Sequence, residues 1–230
     1  LNRRTRPSAL LRRAGQSVLL DVTPEFRLQA TALGLRALDA LVITHAHNDH
    51  ILGLGDLMDW MRWTEARVPV YVPEAVLPDV RRRFHYLFEG RLADRFQALP
   101  PDGVLLGGFR VTAFEVPHGF NGNAHALRFA TSDAAWVYMP DAIGLPDNLA
   151  ATLSDLDLLV LGASFWHEDA PYETRSVYDV TEALELTARV RPARVVLTHL
   201  GHGVDASREP ELPPGHCLAR DGLTVEVPGA

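Results

Sequence analysis

Four potential metal ligands fall within six residues of this chain, at His45, His47, Asp49 and His50. They follow the apolar, β-branched run Ala40–Ile43, which predicts a buried strand. Because side chains two positions apart in an extended chain point the same way, His45 and His47 can hold one ion together. Asp49 and His50 come after the turn, and we expect them to hold a second ion. Imidazole and carboxylate ligands together suit zinc, manganese or iron.

Three later segments repeat this arrangement with one ligand each. The strands predicted at residues 109–116, 135–139 and 194–198 are followed closely by His118, Asp141 and His199 respectively. A single histidine after a strand is more often an ordinary surface or core residue. Three such residues, each where a strand stops, favour a shared site with the first cluster.

Taken in order, these seven residues resemble the ligand set of the metallo-β-lactamase superfamily of metal hydrolases. The resemblance implies that one ion is held by His45, His47 and His118, and the other by Asp49, His50 and His199. Asp141 would bridge two divalent ions, zinc or manganese, together with a water or hydroxide. Asp49 and Asp141 are the expected catalytic residues. The implied fold is α/β, an αββα sandwich of two β-sheets flanked by helices, and whether its first strand precedes Leu1 stays open.

Four stretches resemble more closely the cyclic-phosphate phosphodiesterases of phosphonate degradation, which hydrolyse phosphoribosyl 1,2-cyclic phosphate. They are residues 49–57, 141–147, 195–202 and 212–227. Those enzymes also carry upstream cysteines that hold a structural zinc with a histidine at the position of His202. The single cysteine here, Cys217, lies far from that place, so an ion on His202 requires ligands from elsewhere.

A second departure concerns a histidine that in the resembling enzymes serves the phosphate or the leaving group. The resembling enzymes have a histidine 22 residues before the last metal ligand, where this chain has Val177. His167, Arg175 and Tyr178 are nearby in sequence and are the candidate substrate-binding residues in its place. Asp21 ends a predicted strand and is expected to orient a ligand imidazole.

Further secondary structure is predicted from apolar spacing and from proline and glycine positions. Strands are expected at 17–21, at 68–72 as an edge strand, and at 157–161, with helices at 24–33, 52–62 and 179–191. Within the second helix, Trp60, Met61 and Trp63 are expected in the core or in a pocket wall. Arg81, Arg82 and Arg83 are either a solvated helix face or part of a lid that offers an arginine to a substrate phosphate.

Composition limits the classes of function. With 230 residues, 47% of them hydrophobic, residues 1–230 are expected to form a single metallo-hydrolase domain. The net charge of −7 disfavours an extended nucleic-acid surface, and no apolar run is long enough for a membrane span. One cysteine fits a reducing, cytoplasmic compartment.

The ligands do not identify the substrate, because hydrolases of this fold share them. A phosphodiesterase acting on a small or cyclic phosphate ester is the first interpretation. The alternatives are a lactonase or thioesterase, an RNA 3′-processing hydrolase, and a non-catalytic relative that binds a ligand or metal. The expected partner is a small-molecule phosphate ester, and a homodimer stays open.

Overall fold

The computed structural model describes residues 2–90 and 92–227. These residues form two compact units, which we call the N-terminal unit (residues 5–113) and the C-terminal unit (residues 114–227 with residues 2–4). The expectation of a single domain stays a prediction.

The N-terminal unit contains a five-stranded sheet in the order β1-β2-β3-β4-β5. Its elements are β1 Ala9–Arg13, β2 Gln16–Leu20, α1 Phe26–Ala32, β3 Ala40–Val42, α2 Asn48–Ile51, α3 Leu54–Thr64, β4 Val70–Val72, α4 Leu77–Arg83 and β5 Phe96–Ala98. Ala14 and Gly15, both with positive φ, join β1 and β2 in a tight antiparallel hairpin. From β2 to β5 all strand pairs are parallel, so these strands end at one edge of the sheet.

The second sheet has seven strands in the order β12-β11-β10-β9-β8-β7-β6. Its strands and the helices of the C-terminal unit are β6 Val104–Leu106, β7 Phe109–Pro117, β8 Asn123–Ala130, β9 Ala135–Met139, α5 Asp147–Ala150, β10 Leu158–Gly162, α6 Val180–Val190, β11 Val195–Thr198 and β12 His216–Leu218. The chain passes from one unit to the other within β7. The pairs β9–β10, β10–β11 and β11–β12 are parallel, so these four strands also share a carboxyl edge.

Each unit has its own buried apolar cluster. In the N-terminal unit, α3 contributes Leu54, Leu57, Met58 and Met61, which recur at helical spacing and face the sheet residues. In the C-terminal unit, α6 contributes Val180, Ala183 and Leu186 in the same way. The capping box of Asp179 and Glu182 begins α6, because each side chain satisfies a backbone amide of the first turn.

The prediction of an α/β fold with two sheets flanked by helices is confirmed. Two details were wrong. The segment 68–72 is not an edge strand, because β4 pairs with β3 on one side and β5 on the other. Trp63 is 87% exposed rather than buried, since it lies on the face of α3 opposite to Met58 and Met61. In the described ranges, no helix combines the length and apolarity needed to cross a membrane.

Candidate metal centre

The four ligands of the N-terminal unit lie where β3 leaves the sheet. His45 follows β3 directly after Ile43 and Thr44, and α2 begins three residues later and carries Asp49 and His50. His45 and His50 are buried, whereas His47 and Asp49 are partly exposed. Two of the four side chains are therefore buried, and the other two are accessible from solvent, as a site for substrate requires.

Asp21, the residue after β2, is fully buried and holds this loop together. Its carboxylate accepts the backbone N–H of Thr44 at 2.8 Å and the Thr44 hydroxyl at 2.9–3.0 Å. It also lies 2.8 Å from Nδ1 of His50. An imidazole whose Nδ1–H is given to a carboxylate presents its Nε2 lone pair, which is the tautomer a metal ligand needs. Asp21 therefore contacts the ring of His50, and the expectation that this ring is a metal ligand stays a prediction.

Thr44 sets the tautomer of His45 in a similar way. Its hydroxyl lies 3.0 Å from Nδ1 of His45. Because the single hydroxyl proton is directed at Asp21, the oxygen is left to accept the Nδ1–H of His45. Nε2 of His45 is then directed towards Nδ1 of His47, at 2.9 Å. One buried carboxylate thus sets the orientation of two ligand rings.

The C-terminal unit brings together the other three predicted ligands. Nε2 of His118 lies 3.3 Å from Oδ2 of Asp141, and Nε2 of His199 lies 3.2 Å from Oδ1 of the same residue. The two carboxylate oxygens therefore face two different histidines. Asp141 therefore presents one oxygen to each of these two histidines.

The spacing of donor atoms fits metal coordination. Two donors that share a tetrahedral zinc ion at about 2.1 Å from it lie roughly 3.4 Å apart. The His118–Asp141 and His199–Asp141 distances are close to this value, as is the 3.4 Å between Nε2 of His50 and Oδ2 of Asp49. Each of these side chains offers a nitrogen or oxygen of the kind that binds divalent metals. The histidine and aspartate groups of this protein are therefore suited to divalent metal ions.

The three C-terminal ligands are held by a short segment, residues 175–178, which we call the strap. The carbonyl oxygen of Ser176 lies 2.7 Å from Nδ1 of His118 and so fixes that ring with Nε2 outward. The backbone N–H of Tyr178 donates to the carbonyl of Ala142, next to Asp141, at 2.9 Å. The strap therefore contacts one ligand directly and the neighbour of a second.

His199 is connected to the strap through Ser164, the second residue after β10. The N–H of Ser164 donates to the carbonyl of Tyr178 at 3.0 Å, and its hydroxyl lies 3.3 Å from Nδ1 of His199. His199 itself has a positive φ of 57°, a conformation that histidine adopts more readily than most residues. All three ligands of this unit are thus connected to residues 175–178.

Arg175 anchors the strap rather than facing an open pocket. It is 6% exposed and forms hydrogen bonds with Glu182 at 2.6 and 2.9 Å and with Glu168 at 3.0 Å. Burial alone would lower the pKa of its guanidinium, but these two carboxylates outweigh burial and raise it, so the charge is permanent. Gly119 packs against this anchor, since a Cβ there would lie 2.1 Å from the Arg175 carbonyl oxygen.

The other predicted substrate-binding residues are also placed. Tyr178 is buried, and its hydroxyl accepts the Leu145 N–H at 2.7 Å. Burial raises the pKa of this hydroxyl to about 12, too high for efficient proton transfer near neutral pH. His167 is exposed, with Nδ1 3.2 Å from the Asp179 carboxylate. These contacts give Arg175 and Tyr178 structural partners, and the prediction that they bind substrate gains no support.

Two further positions concern the departures from the resembling enzymes. Val177 is buried, and its Cγ1 would lie 3.3 Å from a Cβ added to Gly162, so it packs in the core. That Val177 stands where the resembling enzymes have their histidine stays a prediction. His202 is exposed, and in the part of the chain that is described it belongs to no group of three potential ligands.

The structure brings the predicted metal-type residues together, but several residues that contact them were not predicted. The Ser164 hydroxyl follows β10 as the ligands follow their strands, so its position after a strand was a usable signal. The Ser176 carbonyl gave no signal, because every residue carries a carbonyl group.

Comparison with known proteins identifies the family of this chain. A family model described as a β-lactamase superfamily domain matches residues 16–200. A solved structure described as a new diphosphatase from the PhnP family is 31% identical, with a TM-score of 0.80, and the match covers 96% of this chain and 83% of that one.

Two curated relatives are more distant in sequence. The octanoyltransferase of Porphyromonas gingivalis is 28% identical over 98% of this chain and 46% of its own length. This chain therefore spans about half of that relative. A ribonuclease Z of Bradyrhizobium sp. (strain ORS 278) is 26% identical over 86% of this chain and 84% of its own length.

Proposed function

This chain belongs to the metallo-β-lactamase superfamily and is a metal-dependent hydrolase, and from that premise we propose that it cleaves a small phosphodiester or diphosphate. The observation that carries the proposal is the likeness to the PhnP-family diphosphatase, at 31% identity over 96% of this chain. The phosphate class of substrate is therefore preferred over lactones and thioesters.

We assign the ligands to two ions. One would be held by His45, His47 and His118, and the other by Asp49, His50 and His199, with Asp141 between them. The tautomers set by Asp21, Thr44 and the Ser176 carbonyl support this assignment, because each leaves an Nε2 lone pair for a metal. The opposed contacts of the two Asp141 oxygens support its bridging place.

Two divalent ions bound there would supply a water of near-neutral pKa and neutralise the phosphoryl oxygens. The residues of the chain would position these ions and the histidine rings. Asp49 is the one anionic ligand private to the second ion, and its partly exposed position places it at the accessible front. The buried Asp21 would keep the ring of His50, and through Thr44 the ring of His45, in one tautomer.

RNA 3′ processing is the second candidate, favoured by the match to ribonuclease Z over most of both chains. Against it stands the net charge of −7, because RNA binding depends on a positive surface that contacts phosphates. A small substrate therefore remains our first choice.

The proposed function is tested by assaying the metal-loaded chain on four substrates in parallel. These are bis(p-nitrophenyl) phosphate, a 2′,3′-cyclic nucleotide, a nucleoside diphosphate ester and a lactone. We expect turnover of at least one phosphate substrate that exceeds lactone turnover. Fast lactone hydrolysis with no phosphate turnover would overturn the proposal.

The matched pair for this assay is Asp49→Ala and Asp59→Ala. Asp59 lies on α3, is exposed and pairs with Arg62 at 2.9 Å. Its substitution therefore removes the same charge from the same unit without touching a proposed ligand. Asp49→Ala should lower kcat/KM by at least about 100-fold, whereas Asp59→Ala should change it less than about twofold. Equal activity in the two variants would reject the role of Asp49.

A further inference from the structure

Three consecutive arginines at the end of α4 have different contacts. Arg81 lies over the ring of Phe88, 5.1 Å from its centre, and Arg82 pairs with Asp79 at 2.8 Å. Arg83 instead donates a hydrogen bond from Nη1 to the side-chain oxygen of Asn48, at 2.6 Å. Two of the three charges are therefore used within the helix region, and the third is directed elsewhere.

Asn48 lies between two of the proposed metal ligands, His47 and Asp49. Its contact with Arg83 places an exposed guanidinium beside the loop that carries these ligands. Asn48 is uncharged, so the contact does not neutralise the arginine. A guanidinium has five N–H donors, and its bond to Asn48 leaves others available to a ligand.

The segment that carries Arg83 is firmly held. The next residue, Phe84, and Leu87 are both buried in the core of the N-terminal unit. The Tyr86 hydroxyl lies against the first turn of α3, where a Cβ on Gly55 would be 3.8 Å from it. Because the backbone directly after Arg83 is anchored by these contacts, Arg83 can bind a ligand with little loss of conformational freedom.

We propose that Arg83 binds a non-bridging oxygen of the substrate phosphate beside the metal ligands. This inference rests on the proposed function for the identity of the ligand. Planar guanidinium groups bind phosphate through paired, charge-assisted hydrogen bonds, which an ammonium group cannot reproduce. Of the two interpretations of this arginine run, the structure favours the solvated face for Arg82 and a phosphate contact for Arg83.

The test measures binding of inorganic phosphate to the metal-loaded chain by calorimetry. Arg83→Ala should weaken phosphate binding by about 10-fold or more, since a hydrogen bond to a charged group is lost. Arg83→Lys should recover only part of the affinity, because it keeps the charge without the planar fork. Arg82→Ala, which removes an equal charge one residue away, should weaken binding by less than about twofold.

Metal content is measured on every variant and should not change. Equal losses in Arg82→Ala and Arg83→Ala would overturn the inference, because a general field effect would then explain both. Unchanged phosphate affinity in Arg83→Ala, or no phosphate binding by the unaltered chain, would also overturn it. If Arg83 proves to bind inorganic phosphate but no phosphate ester is hydrolysed, the proposed function fails, and of the inference only the phosphate contact of Arg83 stands.

Discussion

In the N-terminal unit the proposed metal ligands are neighbours in sequence, and one buried side chain, Asp21, orients two of them. In the C-terminal unit the ligands follow three separate strands, and backbone groups of the strap hold or neighbour them. A local motif can be organised by one central carboxylate, whereas dispersed ligands need a segment that reaches all of their loops. The N-terminal set should therefore be sensitive to one side chain, and the C-terminal set to the anchor of a backbone segment.

The largest effect is expected for Asp21→Asn. The amide keeps the shape but places a donor where Thr44 and His50 both need an acceptor, so the rings lose their fixed tautomer. Metal affinity should fall by about 10- to 100-fold. The free energy of unfolding should drop by about 2–3 kcal/mol. Competition with a chromophoric chelator and urea denaturation measure the two effects.

Asp39→Asn is the control, because Asp39 also accepts a backbone amide, that of Ser17, but contacts no ligand. If both variants bind metal as tightly as the unaltered chain, Asp21 has no special role and the comparison fails.

The second effect is expected for Arg175→Met. Removing the guanidinium leaves Glu168, Asp179 and Glu182 without their cation and frees the strap. We expect a loss of about 3 kcal/mol in stability and a loss in metal affinity of up to about tenfold, smaller than for Asp21→Asn because the strap acts through carbonyl groups. Chelator competition on folded protein measures the loss of metal affinity separately from the loss of stability.

Thr187→Val on α6, the helix that carries the Arg175 partner Glu182, is the control. Its hydroxyl lies 3.0 Å from Nε2 of His216, remote from the strap contacts. It should lower stability without changing metal affinity. Metal affinity that falls equally in both variants would show that general destabilisation, and not the strap, is responsible.

These contrasts also explain how much the sequence predicts. Residues with distinctive side chains, such as His118 and Asp141, mark a site because few residue types bind metals. The strap contacts of Ser176 and Tyr178 use backbone atoms, which no residue identity reveals. Strand β8 was not predicted, because its buried face begins with the small residues Ala124 and Ala126, which suit a helix equally well.

A third, smaller effect is expected for Gly53→Ala, just after the motif. An added Cβ would lie 2.2 Å from the Thr23 carbonyl oxygen, so the loop must shift. We expect the free energy of unfolding to fall by about 1–3 kcal/mol. Metal affinity at the N-terminal ligands should also fall. Gly90→Ala is the control, because among the described residues no atom beyond its chain neighbours lies within 4 Å of its Cβ position. Thermal unfolding compares the two variants. Equal melting temperatures would show that the motif loop tolerates displacement.

The smallest effect concerns acid. Burial would raise the pKa of Asp179, but hydrogen bonds from Thr181 and from the amides of Glu182 and Glu168 outweigh it and lower the pKa. The folded chain then binds fewer protons than the unfolded chain in acid. This stabilisation is therefore complete above the ordinary value of 3.8 and is lost as the pH falls below it. Asp179→Asn should flatten the pH dependence of unfolding in that range, and an unchanged slope would contradict the assignment.

The most direct test of the account is anomalous diffraction from crystals of the zinc-loaded protein. We expect two zinc peaks per chain, with one oxygen of Asp141 on each ion and His118 and His199 on different ions. A single peak at full occupancy, or two ions with Asp141 bound to neither, would contradict the two-metal centre on which the proposed hydrolysis depends.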